Sequence, residues 1–312
     1  MNNHPQQMNK LYHFGQWLAV ALTATLLACK PAVQEEPLQY SQAPAPGQVP
    51  VLRFAVHPLH NPQMLAAAYQ PLIDHLNAQL STVRLELEAS QDYQAFENKY
   101  AQRTPAFLLP NPWQTLQAMK HGYRVIAMAG DAQDFKGIFI VRKDSAVRKP
   151  ADLKGQAVSY PSHTALAAAI MPQYFLHSHG VSVTRDVRNL YVGSQESAIM
   201  NVYLGQSAAG ATWPPPWRLF QKSHPKEAAE LKLIWETPPL LNNSVMVRND
   251  VPPQVAQQVQ SSLLALSQTP SGQAVLRSME TAAFHPADDA SYDMVANYIK
   301  RFEAEVRPVT QP

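Results

Sequence analysis

The chain of 312 residues has a single cysteine, Cys29, so no intramolecular disulfide can form. Charge has no dominant sign: 25 Lys and Arg face 23 Asp and Glu, a net of +2. Without a basic run or patch, nothing points to a nucleic-acid partner. No segment reaches the roughly 18 apolar residues that a membrane-spanning helix needs. The sequence also lacks a Gly-x-Ser-x-Gly elbow, a His-Glu-x-x-His pair and a phosphate-binding P-loop. Gly193-Ser-Gln-Glu-Ser197 comes nearest but has no second glycine, and Cys29 is the only thiol. These absences weigh against an enzyme, and no cofactor or metal is expected.

The N-terminus reads as a targeting segment. Lys10 and His13 precede an apolar run from Phe14 to Ala28, the length of a signal-peptide core. It ends Leu26-Leu27-Ala28-Cys29, which resembles the lipobox of bacterial lipoproteins, whose cysteine is lipidated. Leu27 is larger than is usual there. A plain cleaved signal or an uncleaved anchor are the alternatives. Residues 1–28 are then the signal, and Cys29 carries the lipid. Lys30, not Asp, follows the cysteine, so sorting to the outer membrane is expected in a double-membrane bacterium. Residues 29–50 are rich in proline and poor in large apolar side chains, and form a tether that cannot build a core.

From Val51 onward, strand and helix patterns alternate. Val51–Val56, Val83–Glu88, Ala106–Leu109 and Tyr123–Met128 read as strands. Between them run helices along Leu65, Ala68, Leu72, Leu76 and Leu80, over Tyr93–Gln102, and from Asn111 to His121. The first of these is expected to kink or restart at Pro71. A second series has strands at Gly137–Arg142, Val158–Tyr160, Asn189–Val192, Ala209–Thr212, Leu231–Thr237 and Ser244–Val247. Three helices close the chain. This alternation predicts an α/β fold with mostly parallel sheets.

Ligands of such sheets bind past the carboxyl ends of the strands. The loops there are His57–Asn61, Asn111–Trp113, Ser162–Thr164, Gly193–Ser197 and Thr212 onward. They carry hydroxyls, amides and aromatics and little charge, which suits reversible binding of a small polar solute. The stretch Ser159-Tyr-Pro-Ser-His-Thr-Ala-Leu-Ala-Ala-Ala-Ile170 is central. A strand runs into a turn, and a helix start follows with unpaired N–H groups and partial positive charge. Ser162, His163 and Thr164 there either hold an anion or serve only as caps. Other residues stay equally open. Trp213-Pro-Pro-Pro-Trp217 is a rigid packed loop or a pocket wall, Glu196 a site residue or a cap, and Tyr93 a ligand contact or core. His177 and His179 read as solvated side chains rather than metal ligands. His57 and His60 draw more interest for their loop position.

Four stretches carry a resemblance: Ala68–Leu76, Val141–Ser145 with Asp152–Gly155, Pro161–Pro172 and Val192–Ala198. In order and spacing the chain resembles the phosphate/phosphite/phosphonate-binding family of periplasmic solute-binding proteins that serve ATP-driven importers. The resemblance implies a two-lobed type II periplasmic-binding fold with a hinge and an interlobe ligand cleft. It implies lobe one at residues 51–136 plus 244–312 and lobe two at 137–243, with crossings near Phe135–Ile138 and Pro238–Asn243. It also implies a small oxyanion as ligand, an inner-membrane permease as partner and a monomeric protein. A sensing subunit that signals to a membrane kinase or cyclase is the alternative.

Carried over residue by residue, the family's Ser-Thr-Ser run falls nearest Ser162-His163-Thr164, and its Asp-Tyr aromatic on Tyr93. A second aromatic falls on Phe135, which lacks a hydroxyl. An anion-contacting histidine falls on Gln195, an amine-holding acid on Asn243, and a further Asp on Ala208. Asn111, Ser194, Glu196 and Ser197 complete the expected contacts, with Trp113, Trp213 and Trp217 as walls. Loss of the acids argues against an aminophosphonate, because a buried amine needs a carboxylate partner. The changes suit a neutral or singly charged, oxygen-rich ligand.

Overall fold

The computed structural model describes residues 49–311. The signal peptide, Cys29 and nearly all of the tether lie outside the described residues. Among those described, no helix is long and apolar enough to cross a membrane.

Two sheets organise the chain. The first is built by β1 (Val51–Val56), α1 (Pro62–Asn77), β2 (Arg84–Glu88), α2 (Tyr93–Ala101), β3 (Phe107–Leu109), α3 (Pro112–Lys120) and β4 (Tyr123–Ala129). The chain then crosses to a second sheet. That sheet contains β5 (Ile138–Arg142), β6 (Ala157–Tyr160), α4 (Met171–Ser178), β7 (Arg188–Tyr191), α5 (Gln195–Tyr203), β8 (Ala209–Thr212), α6 (Pro214–Ser223), α7 (Pro225–Ala229) and β9 (Leu231–Glu236). It returns to the first through β10 (Ser244–Arg248), α8 (Pro253–Ala265), α9 (Pro270–Ser278), β11 (Phe284–His285) and α10 (Asp293–Glu305). Strand orders are β11-β4-β10-β3-β1-β2 and β7-β6-β8-β5-β9.

The expectation of mostly parallel sheets is corrected. Pairs β1–β2, β1–β3, β6–β7 and β6–β8 are parallel, but β10 runs antiparallel to β3 and β4, and β5 to β8 and β9. The reason is the crossing itself. Both β5 and β10 enter their sheets straight from the other lobe, against the direction of the βα units.

Local chemistry sets the element ends. Asn61 caps α1 through its Oδ1, which accepts from the Met64 N–H. The helix does not restart at Pro71 but continues as one element to Asn77. It stops there because the Asn77 side chain turns to β2, donating to the Leu85 carbonyl and accepting from its N–H. Three prolines, Pro214–Pro216, occupy the first turn of α6, where missing N–H groups cost nothing. What read as a loop after Trp213 is therefore a helix.

The two crossing segments are bonded to each other. Thr237 N–H donates to the Gly137 carbonyl, Gly137 N–H to Thr237 Oγ1, and Leu240 N–H to the Phe135 carbonyl. Gly137 also lies tight against the chain that follows β6. A Cβ there would sit 2.6 Å from the Ala167 carbonyl oxygen and 2.8 Å from the Pro172 ring. Gly137→Ala is expected to lower stability by about 1–3 kcal/mol through overpacking. Denaturant titration checks this, and an unchanged midpoint would show that the crossing has slack.

Candidate functional site

Between the lobes the chain after β6 makes an unusual helix start. Ala165 follows the turn at Ser162, and its carbonyl accepts from both Ala169 and Ile170 N–H. The second bond spans five residues, so Leu166–Ile170 is a π-helical turn that runs into α4. Such single turns are frequent at functional sites. The first N–H groups of a helix have no intrahelical partner. Here Ala165–Ala168 line a small cavity of about 10 Å³, room for a single water, together with His57, Tyr93, Asn111, Phe135, Gln195, Trp213 and Asn243.

This cavity gathers Tyr93, Asn111, Phe135, Gln195, Asn243 and the expected wall Trp213 from the sequence-predicted set. The others lie elsewhere. Ser162, His163 and Thr164 line a separate surface hollow with Asp92 and Glu97. Ser194 caps α5, accepting from the Ser197 N–H and donating to Ser197 Oγ. Glu196 accepts from Asn61 Nδ2 at 3.1 Å and stands 3.8 Å from His224. Trp113 is buried in α3 but does not line the cavity. Trp217 stacks on Phe220 in the core of lobe two, whereas Trp213 is a cavity wall, tilted against Phe135 at 5.4 Å.

Most polar groups around the cavity are satisfied by the chain. Gln195 is held between lobes: its Nε2 donates to Tyr93 Oη (3.1 Å) and its Oε1 accepts from Thr212 Oγ1 (2.8 Å). Thr164 Oγ1 donates to Glu97 Oε1 at 2.7 Å, and Gln114 Nε2 to the same oxygen at 3.1 Å. Burial nonetheless raises the Glu97 pKa. Asn111 Nδ2 donates to the Thr164 carbonyl and Arg307 Nη2 to that of His163, so lobe one grips the 161–164 loop from three sides. Arg307 is 6% exposed, faces no carboxylate and stacks on Tyr191 and Phe302. Burial lowers its pKa.

Asn243 is the exception. It is 3% exposed, and its Oδ1 has no hydrogen-bond partner. An unmade bond on a buried amide costs about 1–3 kcal/mol, which a bound ligand could recover. His57 Nδ1 lies 2.8 Å from the Leu109 carbonyl. A carbonyl only accepts, so Nδ1 carries the proton and Nε2 is the acceptor. Burial pushes the pKa of both His57 and His60 down to about 4. At neutral pH no charged side chain lines the cavity. Among the described residues, no group of three His, Cys, Asp or Glu is placed to hold a metal.

Sequence reading missed Glu97, Gln114 and Arg307. Glu97 lies inside a helix, where an acid reads as solvated. The available signal was its i, i+4 place after Tyr93, which puts both on one face. Arg307 lies in a C-terminal tail with no pattern.

Residues 54–292 match the family described as ABC transporter, phosphonate, periplasmic substrate-binding protein. The chain belongs to this family. Members of the phosphonate-binding family are solute-binding proteins, not enzymes, and are periplasmic. A probable ABC transporter phosphite-binding protein of Prochlorococcus marinus is 27% identical over 135 residues, 41% of this chain and 46% of that protein. The match thus spans less than half the length of that curated relative. The fold is shared with a binding-protein component of an ABC phosphonate transporter from Pseudomonas aeruginosa. That match has TM-score 0.76 and 15% identity, and covers 82% of this chain and 87% of that one. It is also shared with a Prochlorococcus marinus structure in complex with methylphosphonate, at TM-score 0.73 and 21% identity, covering 81% and 98%.

The buried histidines give a pH signature. Below pH 6.5 the unfolded chain protonates both, while the folded chain resists until about 4. Stability is therefore lost as pH falls across that window, by up to about 1.4 kcal/mol per pH unit for each histidine. Glu97, with its raised pKa, acts in the opposite direction. A His57→Asn/His60→Gln variant is expected to lose less stability between pH 7 and 4.5 than the parent, as read from denaturant midpoints. Equal losses would mean that the histidines are not held neutral.

Proposed function

We propose that this chain is the lipid-anchored, monomeric substrate-binding component of an ATP-driven importer. It takes a small, singly charged phosphonate-type oxyanion from the periplasm and presents it to an inner-membrane permease. The observation that carries this reading is the pairing of an open helix start at Leu166–Ala168 with the unpartnered Oδ1 of Asn243 in one cavity. The helix start offers N–H donors and partial positive charge to oxyanion oxygens. Asn243 offers its Nδ2 to an oxygen and its Oδ1 to a ligand hydroxyl. The absence of a cation from the lining favours one negative charge over two, because a buried uncompensated charge is costly. Family membership supports the importer role, and the Leu26–Cys29 motif supports the anchor, with the outer membrane as its site.

Ser162, Thr164, Ser194 and Ser197 bond within the chain and so act as closing and capping groups rather than as ligand contacts. Methylphosphonate should raise the melting temperature of ligand-stripped protein. Asn243→Ala should weaken its binding by roughly 5–30-fold, the worth of one or two hydrogen bonds. Ser197→Ala should leave it unchanged. Calorimetric titration reads both, and unchanged affinity in Asn243→Ala would refute the site.

A further inference from the structure

Helix α9 ends on a strained residue. Thr281 N–H donates to the Leu276 carbonyl and Glu280 N–H to that of Arg277, the pattern that closes a helix through one left-handed residue. Glycine is usual at that place, because a side chain is disfavoured there. Here it is Glu280, at φ 53°. Arg103, at φ 58°, is the other non-glycine residue with positive φ among those described, and it closes α2 in the same way. The Arg103 side chain is 46% exposed, whereas that of Glu280 is 14% exposed. What covers Glu280 is a helix of the other sheet. Arg218, on α6, donates from Nε to Glu280 Oε2 at 3.2 Å and from Nη2 to its carbonyl at 3.1 Å. Lys222, one turn on, pairs with Glu280 Oε1. Arg218 also donates to both carboxylate oxygens of Asp134, at 3.0 and 2.6 Å, just before the first crossing. The two sides of this contact are anchored in different bodies. Trp217 and Phe220 pack α6 against Ile138 and Ile140 of the second sheet, and Pro214–Pro216 stiffen its first turn. The end of α9 is fixed to the first sheet. Ser278 Oγ donates to the Ala68 carbonyl on α1, and Phe284 pairs with β4.

We infer that Glu280, with Arg218 and Lys222, is an ionic clasp that holds the cleft closed and sets how fast a bound solute leaves. Strain of this kind persists only where the surroundings enforce it, and it gathers at clamps and switches. Asp134, beside the hinge, keeps Arg218 aimed at Glu280. Each ion pair is partly exposed and weak by itself, so the clasp yields when the lobes part and is sensitive to salt. Its effect on release rests on the function proposed above, while the contact between the two bodies does not.

The test compares the full chain with its Glu280→Gln and Glu280→Gly variants. Stopped-flow tryptophan fluorescence, with Trp213 in the cavity wall as reporter, reads the binding and release of methylphosphonate. Glu280→Gln keeps the length of the side chain and removes its charge. Its release rate should rise about three- to tenfold, the worth of two partly exposed ion pairs, with association unchanged. From about 0.01 M to about 1 M sodium chloride the Debye length falls from ~30 Å to ~3 Å. Release from the parent should quicken across that range, and release from Glu280→Gln should not. Glu280→Gly also relieves the backbone. It should release as fast as Glu280→Gln yet melt no lower, and it serves alone if Glu280→Gln does not fold. Parent-like release in the variants, or an equal salt response, would overturn the clasp and leave the proposed function standing. If methylphosphonate does not bind the parent, the proposed function falls, and small-angle scattering of the ligand-free proteins at low salt decides the clasp. A larger radius of gyration in the variants than in the parent supports it, and an equal radius overturns it.

Discussion

The pairing of the two crossing segments is the constraint on which the rest depends. Gly137 and Thr237 bond in both directions, and Leu240 closes on Phe135. This short antiparallel ladder fixes where β5 and β10 enter their sheets, and so makes both sheets mixed. It also places Phe135 and Asn243, which flank the ladder, in the wall of the cavity. Gly137 allows the ladder to lie on the π-turn, with the Ala167 carbonyl so near that no side chain fits between. Hinge, cavity wall and helix start are therefore one packed unit.

Around that unit the chain uses its polar groups on itself. Gln195 ties Tyr93 to Thr212, and Thr164 with the His163 carbonyl is gripped by Glu97, Asn111 and Arg307. Arg218 and Lys222 join α6 to Asp134 and Glu280. The partly exposed ion pairs contribute little each. The bonds to Thr164 and Gln195 are buried, and breaking one without water to replace it costs more. The result is a closed arrangement in which few groups face the cavity unmet. In the site proposed above a ligand would meet backbone N–H groups and the Asn243 side chain, which would favour a weakly charged head over a dianion.

Much of the architecture was legible in the sequence, because alternating strand and helix patterns recur along the chain. The loops past the strand ends were also legible, and Tyr93, Asn111, Phe135, Gln195 and Asn243 do meet in one cavity. The helix start was misplaced by a few residues. Ser162 and Thr164 have the hydroxyls that normally mark an anion-binding turn, but the helix begins only after Ala165, where Ala-Leu-Ala-Ala carries no chemical marker. Backbone N–H groups leave no trace in residue identity, so a site made of them is invisible to motif reading. Antiparallel insertion of β5 and β10 was equally hidden, since strand direction is set by the crossing and not by composition. Glu97 and Arg307 act through contacts 67 and 144 residues away, which no local pattern reports.

The central claim is that ligand meets the backbone at Leu166–Ala168 and the side chain of Asn243. Nitrogen-edited NMR of the labelled protein during titration with a phosphonate tests it most directly. The account predicts the largest shifts at the amides of Leu166, Ala167 and Ala168 and at the Asn243 side-chain amide. Shifts centred instead on Ser162–Thr164 and Ser194–Ser197, with those amides unmoved, would contradict it.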